Sequence, residues 1–291
     1  MTSRSKTVSL VLGAGGARGL AHIGAIEELV DQGYDIQAIA GCSMGALVGG
    51  IYALNKLDVY RDWVTSLEQS DVLALLDWTL SRGGLIQGER IISKLREMVG
   101  DCNIEDLPLD YTAVTVDIVR EQELWLIEGP LFDAIRASIA IPAVFTPHHY
   151  RGRTLVDGGL LNPVPVAPTR RTLTDLTIVV DVNGHPGKEV EAEETEDAPV
   201  ENGLLDRLRG VIGGDGHKQP EASGMALSEV LIRSLETMQA AITRQHLAVF
   251  QPDLVIHIPR NACMIHEFHK AAEMIELGRR MTRDRLARHY A

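Results

Sequence analysis

Apolar runs alternate with stretches of helical periodicity along the first part of the chain. Thr7–Leu12 is an apolar run typical of a buried strand, and a glycine-rich turn and a helical pattern to about Asp31 follow it. Ile36–Ala40 predicts a second strand, which leads through another tight turn into a helix over Met44–Leu54. Strands that alternate with helices at this spacing predict an α/β fold with a parallel sheet.

The same criteria extend the prediction to the rest of the chain. Residues 60–100 are mostly helical in pattern, further strands are predicted at 111–119, 123–129, 175–183 and 253–258, and further helices at 131–141, 226–250 and 265–289. A strand from Thr154 leads into the loop that contains Asp157. In the helix at 226–250, apolar residues at helical spacing are expected to pack in the core: Leu227, Val230, Leu231, Leu235, Met238 and Ile242.

The charge of the chain is unevenly distributed. The net charge is −12 over 291 residues, and residues 185–224 contribute −6 of it through ten acidic and four basic side chains. This block is also rich in glycine and proline, so we predict one domain over 1–291 with a mobile acidic insertion at about 185–224. Inside the block, residues 204–212 form either a short surface helix or a lid that touches a membrane. The acidic balance argues against nucleic-acid binding.

Cysteine usage and apolar run length indicate the compartment. Three widely spaced cysteines without a CxxC pattern predict neither a disulfide framework nor a metal site. The apolar segments are too short for a signal peptide or a membrane span, so we expect a cytoplasmic protein. Five arginines near the C-terminus form either a solvated helix face or a local dock for anionic lipid, which would allow peripheral contact at the inner membrane surface: Arg279, Arg280, Arg283, Arg285 and Arg288.

The sequence GCSMG places a serine between a predicted strand and a predicted helix. Gly41 and Gly45 lie two positions on either side of Ser43, which is the pattern of a nucleophile elbow. The alternative is an ordinary tight turn between a strand and a helix. A serine nucleophile needs a base, yet His257 lies within a predicted strand and His148 precedes the later glycine loop, so neither fits a triad well.

Two further glycine motifs accompany this serine. Asp157 ends an apolar strand and precedes Gly158 and Gly159, which indicates either a functional carboxylate or a simple turn. The turn GAGGARG at 13–19 offers unhindered backbone amides that suit an oxyanion or a dinucleotide phosphate. Arg18 occupies the third glycine position of the dinucleotide fingerprint, and the second strand lacks the terminal acid that would bind a ribose.

Taken together, GAGGARG, GCSMG and DGG resemble the patatin-like phospholipase family, in particular bacterial members similar to the catalytic domain of neuropathy target esterase. The segment AIRASIAIPAVFTP also resembles that family, and the resemblance covers about residues 7–181. It implies a three-layer α/β/α fold and a Ser-Asp dyad without cofactor or metal, in which Asp157 takes the proton of Ser43.

The resemblance also implies an oxyanion hole and a substrate class. The hole would be built by Gly15, Gly16, Ala17 and Arg18, and the arginine side chain would support it or a lipid phosphate. Ala14 departs from the glycine that many members carry, which bears on the shape of the hole. The implied substrates are acyl esters of phospholipids or lysophospholipids. The alternatives are an acyltransferase with the same dyad, or a non-catalytic regulatory or nucleotide-binding protein. The oligomeric state stays open.

Overall fold

The computed structural model describes residues 5–77, 86–186 and 227–289. The strands are β1 (Thr7–Leu12), β2 (Asp35–Cys42), β3 (Asp110–Asp117), β4 (Gln122–Leu126), β5 (His148–Tyr150), β6 (Arg153–Asp157), β7 (Leu176–Gly184) and β8 (Leu254–Pro259). The helices are α1 (Ala21–Asp31), α2 (Met44–Ala53), α3 (Leu57–Thr65), α4 (Gln69–Ala74), α5 (Glu89–Val99), α6 (Leu131–Ser138), α7 (Leu227–Phe250) and α8 (Ala271–His289).

These strands form one sheet in the order β5-β6-β3-β2-β1-β7-β8, and β4 pairs with β3. The neighbouring strands β3, β2, β1, β7 and β8 are parallel to one another. Strands β4 and β6 each pair with β3 in the antiparallel direction, and β5 pairs with β6 in the same way. Helices flank this sheet, and β1 and β7 are buried along most of their length, as parallel strands covered on both faces must be. The predicted mixed α/β fold with a mostly parallel central sheet is confirmed.

Strands β2 and β6 end beside each other on the same edge of β3. Cys42, the last residue of β2, pairs with Val114, and Asp157, the last residue of β6, pairs with Thr115. Because β4 pairs with these β3 residues from the other side, β2 and β6 must share one edge. The two strands run towards each other along that edge, so the residue after β2 meets the end of β6.

The arginines of α8 hold this helix against α1. Arg279 forms ion pairs with Glu27 and Asp31 at 2.5 and 2.9 Å, and Arg283 pairs with Glu28 at 2.8 Å. In addition, Arg285 donates a hydrogen bond to a backbone carbonyl of β8. Three of the five C-terminal arginines therefore bind groups of this chain, and the alternative of a local dock for anionic lipid stays a prediction.

The prediction that the apolar stripe of α7 packs in the core is wrong. Val230, Leu231 and Met238 are exposed, while Leu235 and Ile242 are only partly buried. The helix instead turns polar side chains towards the body of the protein, where they find ion-pair and hydrogen-bond partners. The side chain of Leu227 lies outside the described part of the chain.

Several predicted boundaries also differ. Helix α6 ends at Ser138 rather than at residue 141, and the short strand β5 was not predicted. The acidic insertion lies almost wholly outside the described residues, as does the segment 204–212. Within the described ranges, no helix is both long and apolar enough to cross a membrane. The same ranges contain no cluster of three or more His, Cys, Asp or Glu side chains that could hold a metal ion.

Candidate active site

Ser43 lies at the sharp turn between β2 and α2. Its φ of 55° and ψ of −122° are strained for a residue with a side chain, as a nucleophile elbow requires. Gly45 cannot be replaced without movement, since a methyl group there would lie 2.1 Å from the carbonyl oxygen of Leu12. A methyl group on Gly41 would lie 2.5 Å from the backbone of the first turn of α2. The glycines thus allow the turn, and the amino end of α2 faces the serine with its partial positive charge.

The last residue of α6 and the residues just after it bind the backbone on both sides of the site. The buried Ser138 Oγ accepts a hydrogen bond from the amide of Ser43 at 2.9 Å and donates one to the carbonyl of Val114 at 2.6 Å. The carbonyl of Ala140 accepts a hydrogen bond from the amide of Asp157 at 2.9 Å. One short segment therefore fixes both the serine and the aspartate. Sequence reasoning assigned Ser138 no role; the only signal was its place in the segment ASIAIP.

Asp157 is buried, and its environment sets its pKa. Burial raises the pKa from 3.8 to about 6, and hydrogen bonds from the Ser43 side chain, the amide of Gly159 and the Cys42 thiol oppose this rise. Its Oδ1 accepts the Gly159 amide at 2.7 Å and lies 3.7 Å from Cys42 Sγ. Gly158 occupies the tight turn that follows, against the carbonyl of Val114. At neutral pH the carboxylate is mostly ionised and able to accept a proton.

The contact between Ser43 and Asp157 leaves one carboxylate oxygen, Oδ2, without a hydrogen-bond partner among the described residues. The Ser43 side chain is close enough to lower the pKa of Asp157, yet Oδ2 has no partner within hydrogen-bond geometry among the described residues. Catalytic hydrogen bonds are often long without substrate and shorten when it binds. Asp157 Oδ2 therefore has unused capacity to accept the serine proton.

Some backbone amides of the GAGGARG loop donate hydrogen bonds to carbonyls elsewhere in the chain, and the amides that lie between them in the sequence are the candidates for the oxyanion hole. The amides of Gly13, Ala14 and Ala17 donate to the carbonyls of Val180, Pro163 and Ile265. The prediction that Ala17 contributes an oxyanion donor is therefore wrong, because its N–H binds Ile265. The candidate donors that remain in this described segment are Gly15 and Gly16, with the Arg18 amide still a prediction.

The backbone of this loop shows whether an alanine at position 14 fits its shape. The positive φ of 57° falls on Gly16, and Ala14 stays outside this region. The loop also touches the other two motifs: a methyl group on Gly159 would lie 3.3 Å from Ala14 Cβ, and one on Gly19 would lie 2.5 Å from Met44 Cβ. The three glycine motifs of the sequence thus converge at one place.

Two side chains brace this loop from within the protein. The buried guanidinium of Arg18 donates to Glu236 Oε1 of α7 at 2.7 Å and to the carbonyl of Arg260 at 2.9 Å. It is committed to these groups, so the role predicted for it at a lipid phosphate is not supported. Sequence reasoning also missed His22, whose Nε2 lies 2.8 Å from the carbonyl of Gly13 and whose pKa burial lowers to about 4.

Three histidines that follow Ser43 in the sequence lie beside groups other than the serine. His257 Nδ1 lies 3.0 Å from Asp181 Oδ2, His246 Nδ1 lies 3.0 Å from Asn162 Oδ1, and His148 Nε2 lies 3.8 Å from Asp133. None of these three partners is Ser43. Geometry therefore favours Asp157 over these three histidines as the group that receives the serine proton.

Comparisons with known proteins point to one family. The family model described as patatin-like phospholipase matches residues 10–170. The chain is 39% identical over 325 aligned positions to an uncharacterized NTE family protein of Mycobacterium tuberculosis H37Rv, with 95% of this chain and 90% of that protein covered. It is 31% identical over 183 positions to patatin-like phospholipase domain-containing protein 6 of Mus musculus, covering 60% of this chain and 13% of that protein. The crystal structure of VipD from Legionella pneumophila aligns with a TM-score of 0.45 at 12% identity, covering 98% of this chain and 67% of that one.

Proposed function

Because the chain belongs to the patatin-like phospholipase family, whose members are lipid acyl hydrolases, we propose that it cleaves acyl esters of phospholipids or lysophospholipids with Ser43 as nucleophile and Asp157 as base. The observation that carries this proposal is the meeting of β2 and β6 on one edge of β3. It brings a strained serine next to a buried carboxylate whose pKa is about 6.

In the first half of the reaction, Asp157 Oδ2 takes the proton of Ser43 Oγ as this oxygen attacks the acyl carbonyl carbon. The negative charge that develops on the carbonyl oxygen is stabilised by the amides of Gly15 and Gly16 and by the amino end of α2. The ester C–O bond then breaks, the alcohol leaves with the proton held by Asp157, and an acyl ester on Ser43 remains.

In the second half, water replaces the alcohol. Asp157 takes a proton from the water as its oxygen attacks the acyl carbonyl, and the same amides hold the charge. The bond to Ser43 Oγ breaks, the serine regains its proton from Asp157, and the fatty acid leaves. Raising the pKa of the carboxylate towards neutrality makes it a better base than an exposed aspartate.

The test combines covalent labelling with turnover. Incubation with a fluorophosphonate, followed by intact-mass analysis, is expected to show one adduct on the wild-type chain and none on Ser43→Ala. Asp157→Asn is expected to lose turnover on a panel of phospholipids and lysophospholipids. His257→Gln is the control, since it removes the histidine of a described His–Asp pair, and it should keep most activity.

The proposal fails if Ser43→Ala is labelled like the wild type, or if His257→Gln is inactive while a folded Asp157→Asn turns over normally. An added alcohol acceptor in the same assay distinguishes hydrolysis from acyl transfer, because transfer yields a new ester rather than the free acid.

A further inference from the structure

One side of α7 presents polar side chains to the loops of the candidate site. Four residues of this side are spaced by three or four positions: Glu236, Gln239, Thr243 and His246. Glu236 forms an ion pair with Arg18 of the GAGGARG loop at 2.7 Å, and His246 Nδ1 lies 3.0 Å from Asn162 Oδ1 in the loop that follows β6. The first and last members of the set therefore fix α7 to both loops.

Gln239, which lies between these two anchors, is next to the catalytic groups. A methyl group on Gly159 would lie 2.6 Å from Gln239 Nε2 and 3.0 Å from Asp157 Oδ1. The same methyl group would lie 3.3 Å from Ala14 Cβ, so the glutamine amide, the carboxylate and the GAGGARG loop surround one point. Gln239 is half-buried, which leaves its side chain partly accessible to a bound molecule.

The two middle members of the polar set have unused hydrogen-bonding capacity. Thr243 is 4% exposed, and its Oγ1 has no hydrogen-bond partner among the described residues. The side-chain amide of Gln239 has none within the same ranges, although it carries both a donor and an acceptor. Native proteins rarely leave polar groups at such positions without partners. A polar group of a bound substrate would supply the partner that Gln239 lacks.

The position beside Asp157 identifies the part of an ester that Gln239 would meet. In the proposed reaction, the proton that Asp157 takes from Ser43 passes to the departing alcohol oxygen, so the alcohol part lies near this carboxylate. The carbonyl oxygen binds instead at the amides of Gly15 and Gly16. In a glycerolipid, the carbon next to the scissile ester carries a second, uncharged oxygen, which suits the uncharged amide of Gln239.

We propose that Gln239 is a specificity-determining residue, whose side-chain amide hydrogen-bonds the oxygen on the alcohol carbon next to the scissile ester. This role rests on the proposed function, because it requires an ester bound between Ser43 and the GAGGARG loop. Its consequence is that the enzyme selects glycerol esters over esters of simple alcohols, since only the former satisfy the amide.

The experiment compares two soluble esters that have the same acyl group. Glyceryl 1-monobutyrate carries the second oxygen, whereas propyl butyrate has the same three alcohol carbons without it. Gln239→Met keeps the length of the side chain and removes its amide, so kcat/KM for the glyceryl ester should fall about three- to tenfold. The value for the propyl ester should stay at that of the wild type. The rate of labelling by a fluorophosphonate, which lacks this oxygen, should also be unchanged.

The matched control is Gln245→Met. Gln245 is exposed on the same helix, six positions after Gln239 and about a third of a turn away around the helix axis. Its replacement should leave kcat/KM unchanged for both esters. A Gln239→Met enzyme that keeps the preference of the wild type for the glyceryl ester would overturn the proposal, as would a wild type without such a preference. Equal losses on both esters would also overturn it, because the acyl group is what the two esters share.

Failure of the proposed function gives a different result from failure of the specificity role. A wild-type chain that is not labelled at Ser43 and cleaves neither ester would refute the proposed function, and the role of Gln239 with it. A wild-type chain that is labelled and cleaves both esters, beside a Gln239→Met variant with the same ratio of kcat/KM values, would refute the role of Gln239 alone.

Discussion

Replacing Asp157 with asparagine should stabilise the fold at neutral pH while it removes turnover. Burial raises the pKa of this carboxyl from 3.8 to about 6, so the folded chain holds the proton more tightly than the unfolded chain does. Stability therefore falls as the pH rises from 3.8 to about 6, and the full cost is present above this window. A rise of this size corresponds to roughly 3 kcal/mol in the free energy of unfolding.

Asparagine is well suited to remove this cost. Its Oδ1 can keep the hydrogen bond from the Gly159 amide, and its Nδ2 replaces Oδ2, the oxygen without a partner among the described residues. Asp157→Asn should thus gain up to roughly 3 kcal/mol above pH 7, about half of that at pH 5, and nothing below the ordinary pKa of the group. Turnover should fall by about 10²- to 10⁴-fold, as it does when a general base is lost.

Urea unfolding at a series of pH values measures the gain, and turnover is followed on the same proteins. Asp117→Asn is the control because the pKa of this carboxyl is shifted in the opposite direction. Burial acts to raise the pKa of Asp117, but hydrogen bonds from Arg120 and Arg153 outweigh it and hold that pKa below its usual value. The control should lose stability at neutral pH. An Asp157→Asn chain no more stable than the wild type at pH 7, with the same dependence on pH, would refute the reasoning.

Three further outcomes are expected. Ser138→Ala should lower kcat by roughly 10²-fold with KM little changed, because the amide of Ser43 loses its hydrogen-bond acceptor. Thr169→Ala removes another buried hydroxyl and should leave kcat unchanged. An equal loss of kcat in the two variants, measured by steady-state kinetics, would contradict the positioning role of Ser138. Gly45→Ala should prevent folding, since its methyl group would lie 2.1 Å from the Leu12 carbonyl oxygen. The control Gly33→Ala places its methyl group in open space at a φ of 81° and should lower the free energy of unfolding by only about 1–2 kcal/mol. Similar melting temperatures for the two variants would show that the turn at Gly45 is not as tight as described. Turnover should be unchanged in EDTA, because the mechanism uses no metal, and activity lost in EDTA and restored by calcium would contradict this.

The parts of the site that the sequence predicted are those with local requirements. A strand, a tight turn and a helix in succession around Ser43 need glycines at fixed positions, and these are visible in the printed sequence. The same holds for the loop at Gly15 and Gly16 and for the turn after Asp157. The expectation that the three motifs lie together in space came from the family resemblance, because spacing along the chain says little about distance in the fold.

The parts that escaped prediction depend on partners distant in sequence. The amide of Ala17 is taken by Ile265, which is 248 positions away, and nothing near Ala17 indicates this. Ser138, at the end of α6, binds the amide of Ser43, which is 95 positions away in the sequence. The orientation of α7 was predicted from apolar periodicity alone, whereas the ion pair between Glu236 and Arg18 helps to decide which side faces the protein.

The meeting of β2 and β6 on one edge of β3 also bears on how the protein folds. Ser43 and Asp157 are 114 positions apart, and they become neighbours only after two strands of opposite direction have aligned on adjacent residues of a third. Contacts of such long sequence separation carry a large loop-closure entropy and are associated with slow folding. Reactivity of the serine should therefore return late during refolding, after helices have formed, so its recovery would time the completion of the native topology.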